Sequence, residues 1–159
     1  MTAFVLPRGA TGFNIDDPPR ERNDRRGNFV AWARTVATSL DSTTTIVESV
    51  GNFDVVELET LGFWLLQNRF LPLVGVIAQP PTAGFAYAVD AEFVDLPPLP
   101  GHLGGWGPRL LAAEIVNRAL SPNDWKEFSD PALAHADRFK PTQIGHVLFN
   151  YWDQSTKRC

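Results

Sequence analysis

Cysteine and long apolar runs are scarce in this 159-residue chain. Cys159 is the single cysteine and stands last in the sequence, so we expect neither a disulfide framework nor a catalytic cysteine. The apolar runs at residues 63–66 and 71–78 are far shorter than the roughly 20 residues that cross a bilayer. The opening residues do not resemble a secretory signal, and we therefore expect a cytoplasmic protein with no membrane association.

Short motifs of well-known enzyme classes are also missing. The sequence has no phosphate-binding Gly-Lys-Ser/Thr, no dinucleotide-binding Gly-x-Gly-x-x-Gly, no His-Glu-x-x-His and no Gly-x-Ser-x-Gly. The three histidines, His102, His135 and His146, are not spaced as metal ligands, so no metal or cofactor and no catalytic residue is predicted. His146 is predicted to be half-exposed on the polar side of the last helix, with presentation of its imidazole to a ligand as the alternative.

Basic residues are nearly absent from the middle of the chain. The whole sequence has 14 Lys and Arg against 18 Asp and Glu, a formal net charge of -4, which disfavours binding to nucleic acid. Between Asp41 and Asp95 there are eight acids, and Arg69 is the single base. A surface of one sign attracts partners of the other, so this region is a candidate docking surface for something basic. The alternative is that these acids form the solvated side of a sheet.

The first half of the chain has the periodicities of one helix followed by strands. Apolar residues recur at helical spacing over residues 28–40, and β-branched residues then predict a hairpin over residues 43–59. Residues 60–70 fit a strand better than a helix, and the apolar run at 71–78 is typical of a strand covered on both faces. Residues 85–93 alternate strictly with period two, which predicts the most regular strand of all.

The second half is predicted to be helical, after an irregular Pro- and Gly-rich loop at residues 95–108. Helices are expected over residues 108–120 and 141–153, with two short ones starting at Ser121 and Asp130. Residues 1–27 are expected to be largely irregular. The sequence therefore predicts a single α+β domain, with a mostly antiparallel sheet of about five strands and helices packed on one face.

Two pairs of carboxylates stand out on the predicted strands, Glu57 with Glu59 and Asp90 with Glu92. If their strands are neighbours, four acids share one face and can meet a basic partner. General acid catalysis or binding of a divalent cation is an alternative use of such a group, and plain solvation of the strands is another. We predict these four residues as partner-binding.

The five tryptophans divide between core and surface. Trp32, Trp64 and Trp152 lie at apolar positions of predicted elements and are expected in the core. Trp106 and Trp125 lie in less regular segments and are expected to be exposed. Because exposed tryptophans often anchor interfaces, Trp106 joins the predicted partner-binding residues.

Residues 138–153, which read Arg-Phe-Lys-Pro-Thr-Gln-Ile-Gly-His-Val-Leu-Phe-Asn-Tyr-Trp-Asp, resemble the ends of small bacterial immunity proteins. The resemblance implies a cytoplasmic antitoxin-type protein that neutralises a cognate toxin, and it assigns no functional residues. Together with the charge pattern it predicts a non-enzymatic protein-binding module that occludes the active site of a basic toxin, as a monomer or weak homodimer. The alternative is a small enzyme or ligand-binding domain with a pocket under the 95–108 loop.

Overall fold

A single sheet forms the centre of the computed structural model, which describes residues 4–7, 10–11, 21–48, 51–84, 87–128 and 130–152. Its five strands lie in the order of the sequence: β1 (Thr44–Val47), β2 (Phe53–Leu58), β3 (Phe63–Asn68), β4 (Leu73–Ile77) and β5 (Arg109–Leu110). The first four strands pair antiparallel, and β5 pairs parallel to β4. The α+β class and the five-stranded, mostly antiparallel sheet are confirmed, as is the strand at residues 60–70.

In the described part of the chain four α-helices flank the sheet: α1 (Glu21–Ser39), α2 (Ala113–Val116), α3 (Asp130–Phe139) and α4 (Ile144–Leu148). Helices α2, α3 and α4 contribute to one apolar cluster, on the sheet face that carries Phe53 and Leu66. Helix α1 packs with Val56 and Leu65 on the other face. The prediction that all helices pack on one face of the sheet is therefore wrong, because α1 covers the other face. Adjacent strand residues such as Val55 and Val56 point to opposite faces, and both are buried, so both faces need a cover.

Three predicted helices have different limits in the structure. Helix α1 begins at Glu21, within the segment expected to be irregular. Residues 109–111 are extended because Arg109 N–H donates to Pro72 O (2.8 Å) and Leu111 N–H to Val74 O (2.9 Å), which leaves α2 much shorter than the predicted helix. The last helix ends at Leu148, and the extended chain after it bridges to Ala88 through Asn150. Pairing with backbone edges overrides helical periodicity in both places.

The strand predicted at residues 85–93 is wrong. Residues 85 and 86 lie outside the described part, and residues 87–93 make isolated bridges to three different segments instead of a ladder. Tyr87 has a positive φ of 54°, which turns the chain out of a strand. The alternation of apolar and acidic residues nevertheless matches burial in the last residues: Val89 and Phe93 are buried, whereas Asp90 and Glu92 are exposed.

Three buried asparagines connect the sheet to the segments before and after it. Asn68, at the end of β3, donates from Nδ2 to the carbonyl oxygens of Ala10 and Leu148, both at 2.8 Å. Its Oδ1 accepts from the backbone N–H groups of Phe70 and Leu71. Asn52 donates to Ala10 O and accepts from Asn150 N–H, and Asn150 accepts from Trp152 N–H. Each amide thus satisfies backbone groups that would otherwise be buried without partners.

We expect Asn68→Leu to lower the free energy of unfolding by about 3 kcal/mol or more, because it leaves several buried backbone groups without a partner. Urea denaturation followed by circular dichroism measures this loss. Asn28→Leu, at an exposed position of α1, is the matched control and should change stability by no more than about 0.5 kcal/mol. Equal stability of the two variants would contradict the role given to the Asn68 amide.

Candidate functional site

The one base of the central region is used inside the fold. Arg69, the only lysine or arginine between Asp41 and Pro108, donates from Nε to Asp54 Oδ1 at 3.1 Å. Both side chains of this ion pair are largely buried, at 16% and 11% exposure. Apart from Arg69, no lysine or arginine occurs from β1 to β4 or in the loop between β4 and β5 to neutralise the other acids of the region.

Five of these acids lie toward one end of the sheet, the end at which β2 and β4 finish. We call this group the acidic end: Asp41, Glu57, Glu59, Asp90 and Glu92. Glu57 is half-buried and the other four are exposed. Among the described residues none of the five makes an ion pair. Glu59 accepts a hydrogen bond from Thr45 Oγ1, which holds its carboxylate against β1.

The two predicted pairs are not on adjacent strands. Glu57 is opposite Trp64 on β3, Trp64 is opposite Ile77 on β4, and Ile77 bridges to Phe93. Two strands therefore separate Glu57 from the segment of Glu92, about 14 Å at the usual strand spacing. The four acids share an end of the sheet, but they do not converge on one point.

Asp90 and Glu92 line an open polar cleft of about 550 Å³ beside α4. Its other polar side chains were not singled out by the sequence: Gln79, Asn117 and Gln143. Asn117 pairs with the backbone of Phe93 as a strand would, accepting from its N–H at 3.0 Å and donating to its carbonyl at 2.8 Å. This amide holds Phe93 beside the end of α2, in addition to the isolated bridge that Phe93 makes with Ile77 of β4.

His146 lines the same cleft, half-buried, so its predicted exposure is confirmed. The backbone N–H of Thr142 donates to His146 Nδ1 at 3.3 Å, so Nδ1 acts as an acceptor and the neutral ring carries its proton on Nε2. Burial lowers the pKa of His146 from its ordinary 6.5, and the nearby carboxylate of Asp90 offsets part of that shift. The imidazole is therefore mostly neutral at pH 7 and adds little positive charge to the acidic end.

We expect Asp90→Asn to lower the pKa of His146 further, since the variant removes the charge that favours the imidazolium. NMR titration of the ring protons measures the midpoint. Glu92→Gln, on the same cleft, is the control and should leave the midpoint near its wild-type value.

The stability that the neutral ring contributes follows from the same shift. The unfolded chain binds a proton near pH 6.5, above the folded pKa, so this contribution is present above pH 6.5 and is lost as the pH falls below it. A His146 midpoint at or above 6.5 in the folded protein would contradict this description of the cleft.

Trp106 lies at the other end of β4 from the acidic end. Its exposure is 44%, as predicted, and it lines a cleft of about 410 Å³ with Pro72, Pro108 and Gln67. Pro72 immediately precedes β4, whereas the acidic end lies at the last residue of β4, Ile77. The first and last residues of β4 are about 13 Å apart along the strand. Trp106 and the acids therefore do not form one continuous cluster, and the role of Trp106 as an interface anchor stays a prediction.

The remaining tryptophans match the expectations in part. Trp32 and Trp152 are buried in the two clusters, whereas Trp64 is half-buried beside Glu57. Trp125 is also half-buried, contrary to the expectation, because its ring packs edge-on against Phe128 at 5.0 Å between centroids.

Gln67 is a buried residue that sequence reasoning missed. It is 1% exposed, and its Nε2 donates to Arg25 O at 3.3 Å. Within the described part of the chain its Oε1 accepts no hydrogen bond, although the side chain lines the Trp106 cleft. The sequence feature that could have revealed it is the pair Gln67-Asn68 at the end of an apolar strand. Amide side chains in a buried strand need hydrogen-bond partners, so such a pair indicates a polar site inside the fold.

The described residues contain no group of three or more His, Cys, Asp or Glu side chains that could hold a metal ion. Among the same residues no helix is both long and apolar enough to span a membrane. Comparisons with protein-family models, with curated proteins and with solved structures find no match to this chain. The function is therefore inferred from the residues themselves.

Proposed function

We propose that this protein is a protein-binding module of the immunity type, which acts in the cytoplasm by docking the acidic end of its sheet onto a basic partner. The single observation that carries the proposal is the unpaired charge at that end. Arg69 is bonded to Asp54, burial lowers the pKa of His146 so that its ring is mostly neutral at pH 7, and the five carboxylates face solvent or the cleft without an ion pair in the described residues.

Negative charge over one end of a molecule favours encounters with positively charged partners. It speeds association with an oppositely charged protein and disfavours like-charged ones. A toxin that acts on nucleic acid or on an anionic cofactor needs a basic cleft to bind phosphates. Carboxylates such as those of Asp90 and Glu92 can take the place of phosphates in that cleft, and the bound module then blocks access to it.

Neutralising four acids tests the proposal: Glu57→Gln, Glu59→Gln, Asp90→Asn and Glu92→Gln combined. The tagged wild type is expected to retain a basic protein from its native lysate at low salt and to release it at high salt. The variant should bind that protein at least about tenfold more weakly, mainly through slower association. Mass spectrometry identifies the protein and surface plasmon resonance measures its binding.

A matched control removes the same number of charges from exposed acids elsewhere: Glu114→Gln, Glu127→Gln, Asp130→Asn and Asp137→Asn. Both variants have the same formal net charge, so any difference in their binding comes from the positions of the removed acids. Equal weakening by the two sets would show that only total charge matters, and that result would overturn the proposal. Unchanged binding by the first set would overturn it as well.

One observation favours a second candidate, a small-ligand site at the Trp106 cleft under the 95–108 loop. The buried Oε1 of Gln67 offers an acceptor beside an exposed indole and two prolines, which suits a flat molecule that carries an N–H donor.

Benzamide tests the second candidate, and methyl benzoate, which lacks the donor, is the matched probe. Benzamide should shift the NMR signal of the Trp106 indole N–H, and Gln67→Met should abolish the shift because it removes the acceptor. Equal shifts with both molecules would count against a specific site.

A further inference from the structure

The outer edge of β1 presents backbone groups that the sheet does not use. The bond from Glu59 N–H to Thr43 O (3.0 Å) fixes which residues of β1 face β2. In an antiparallel ladder every second residue bonds to the neighbouring strand, so Thr45 and Val47 pair with β2. The N–H and C=O groups of Thr44 and Ile46 therefore point away from the sheet. No described residue bonds to them.

This edge has little protection against an added strand. Proteins usually blunt an exposed edge with lysine, proline, a bulge or a covering segment. The four residues of β1, Thr-Thr-Ile-Val, include neither lysine nor proline, and their pairing with β2 is regular. The side chain of Ile46 is 45% exposed, an apolar contact that a neighbouring strand would cover.

The charges around β1 indicate what kind of strand fits. Asp41 precedes β1, Glu48 follows it, and Glu57 and Glu59 lie on or just after β2 beside it; no base occurs from residue 42 to residue 68. A second copy of this chain is disfavoured. In an antiparallel pair of two copies, the open groups of Thr44 in one copy would bond to those of Ile46 in the other. This register places Glu48 of each copy beside Ser42 and Asp41 of the other, so the carboxylates of Glu48 and Asp41 would repel each other.

We propose that the outer edge of β1 pairs with an extended, lysine- or arginine-bearing segment of a protein partner, which adds a strand to the sheet. This inference rests on the proposed function, because it names how the basic partner is held. Backbone hydrogen bonds to Thr44 and Ile46 fix the segment in register, Ile46 packs against it, and the flanking acids meet its basic side chains.

The test uses a short peptide in which lysine alternates with valine, and the same peptide with glutamate in place of lysine. Amide hydrogen exchange of the full chain, read by NMR, reports on each residue of β1. In the free protein the Thr45 and Val47 amides should exchange slowly and those of Thr44 and Ile46 quickly. The lysine peptide should slow Thr44 and Ile46 at least about tenfold, as new backbone hydrogen bonds would. The glutamate peptide should not.

Two variants separate backbone pairing from side-chain contact. Ile46→Pro removes an N–H that β2 does not use, a position at which an edge strand tolerates proline, and it should abolish the peptide's protection of Thr44. Ile46→Thr keeps the N–H and should retain that protection with weaker binding. Melting curves show whether each variant folds. If one variant does not fold, the exchange data of the wild type with the two peptides still test the inference.

Other results would overturn the inference. Slow exchange at Thr44 and Ile46 in the free protein, together with dimers in sedimentation, would mean that a second copy covers the edge. Binding of the lysine peptide without protection of these amides would reject strand addition and leave the proposed docking of the acidic end intact. Absence of peptide binding would also reject strand addition, whereas the proposed function is decided separately by capture of its partner.

Discussion

The buried asparagines Asn52, Asn68 and Asn150 hold together segments that are far apart in the sequence. Each uses both ends of its amide on backbone groups, so residues 10–11, the start of β2, the end of β3 and the chain after α4 meet at one place. Apolar side chains cannot satisfy these groups, and burying them without partners would be costly. The asparagines therefore determine how the C-terminal segment lies on the sheet, and with it the positions of Phe149 and Trp152 in the core.

That arrangement explains why the acids remain on the outside. Both faces of the sheet are filled by apolar residues, and the single base of the central region is bonded to Asp54. The carboxylates on the strands and on the segment after β4 therefore lie at the end of the sheet and in its clefts, where water can solvate them. The same packing leaves β1 as an edge strand, since α1 covers a face of the sheet and not its outer edge. The negative charge and the open edge thus have a common origin in the layering of the fold.

Period and composition predicted much of this fold. The hairpin of β1 and β2, β3, the buried β4 and the start of α3 follow from local patterns that tertiary contacts did not override. Three of the failures share one cause: residues 87–93, 109–111 and 149–150 bond to distant backbone, which a local period cannot show. The exposure of Trp106 was predicted as well, whereas the binding role of the acids stays a prediction. The sequence could not show that Asp90 and Glu92 lie beside His146, or that Gln67 is buried, because those placements depend on contacts between distant residues.

The most direct measurement of the central claim is hydrogen exchange mass spectrometry of the protein with the basic partner that it captures. If the acidic end is the docking surface, complex formation slows exchange in the peptides that span residues 44–59 and 87–93, and high salt reverses the effect. Protection confined to residues 25–28 and 106–108, around the Trp106 cleft, with no change at the acidic end, would contradict the claim.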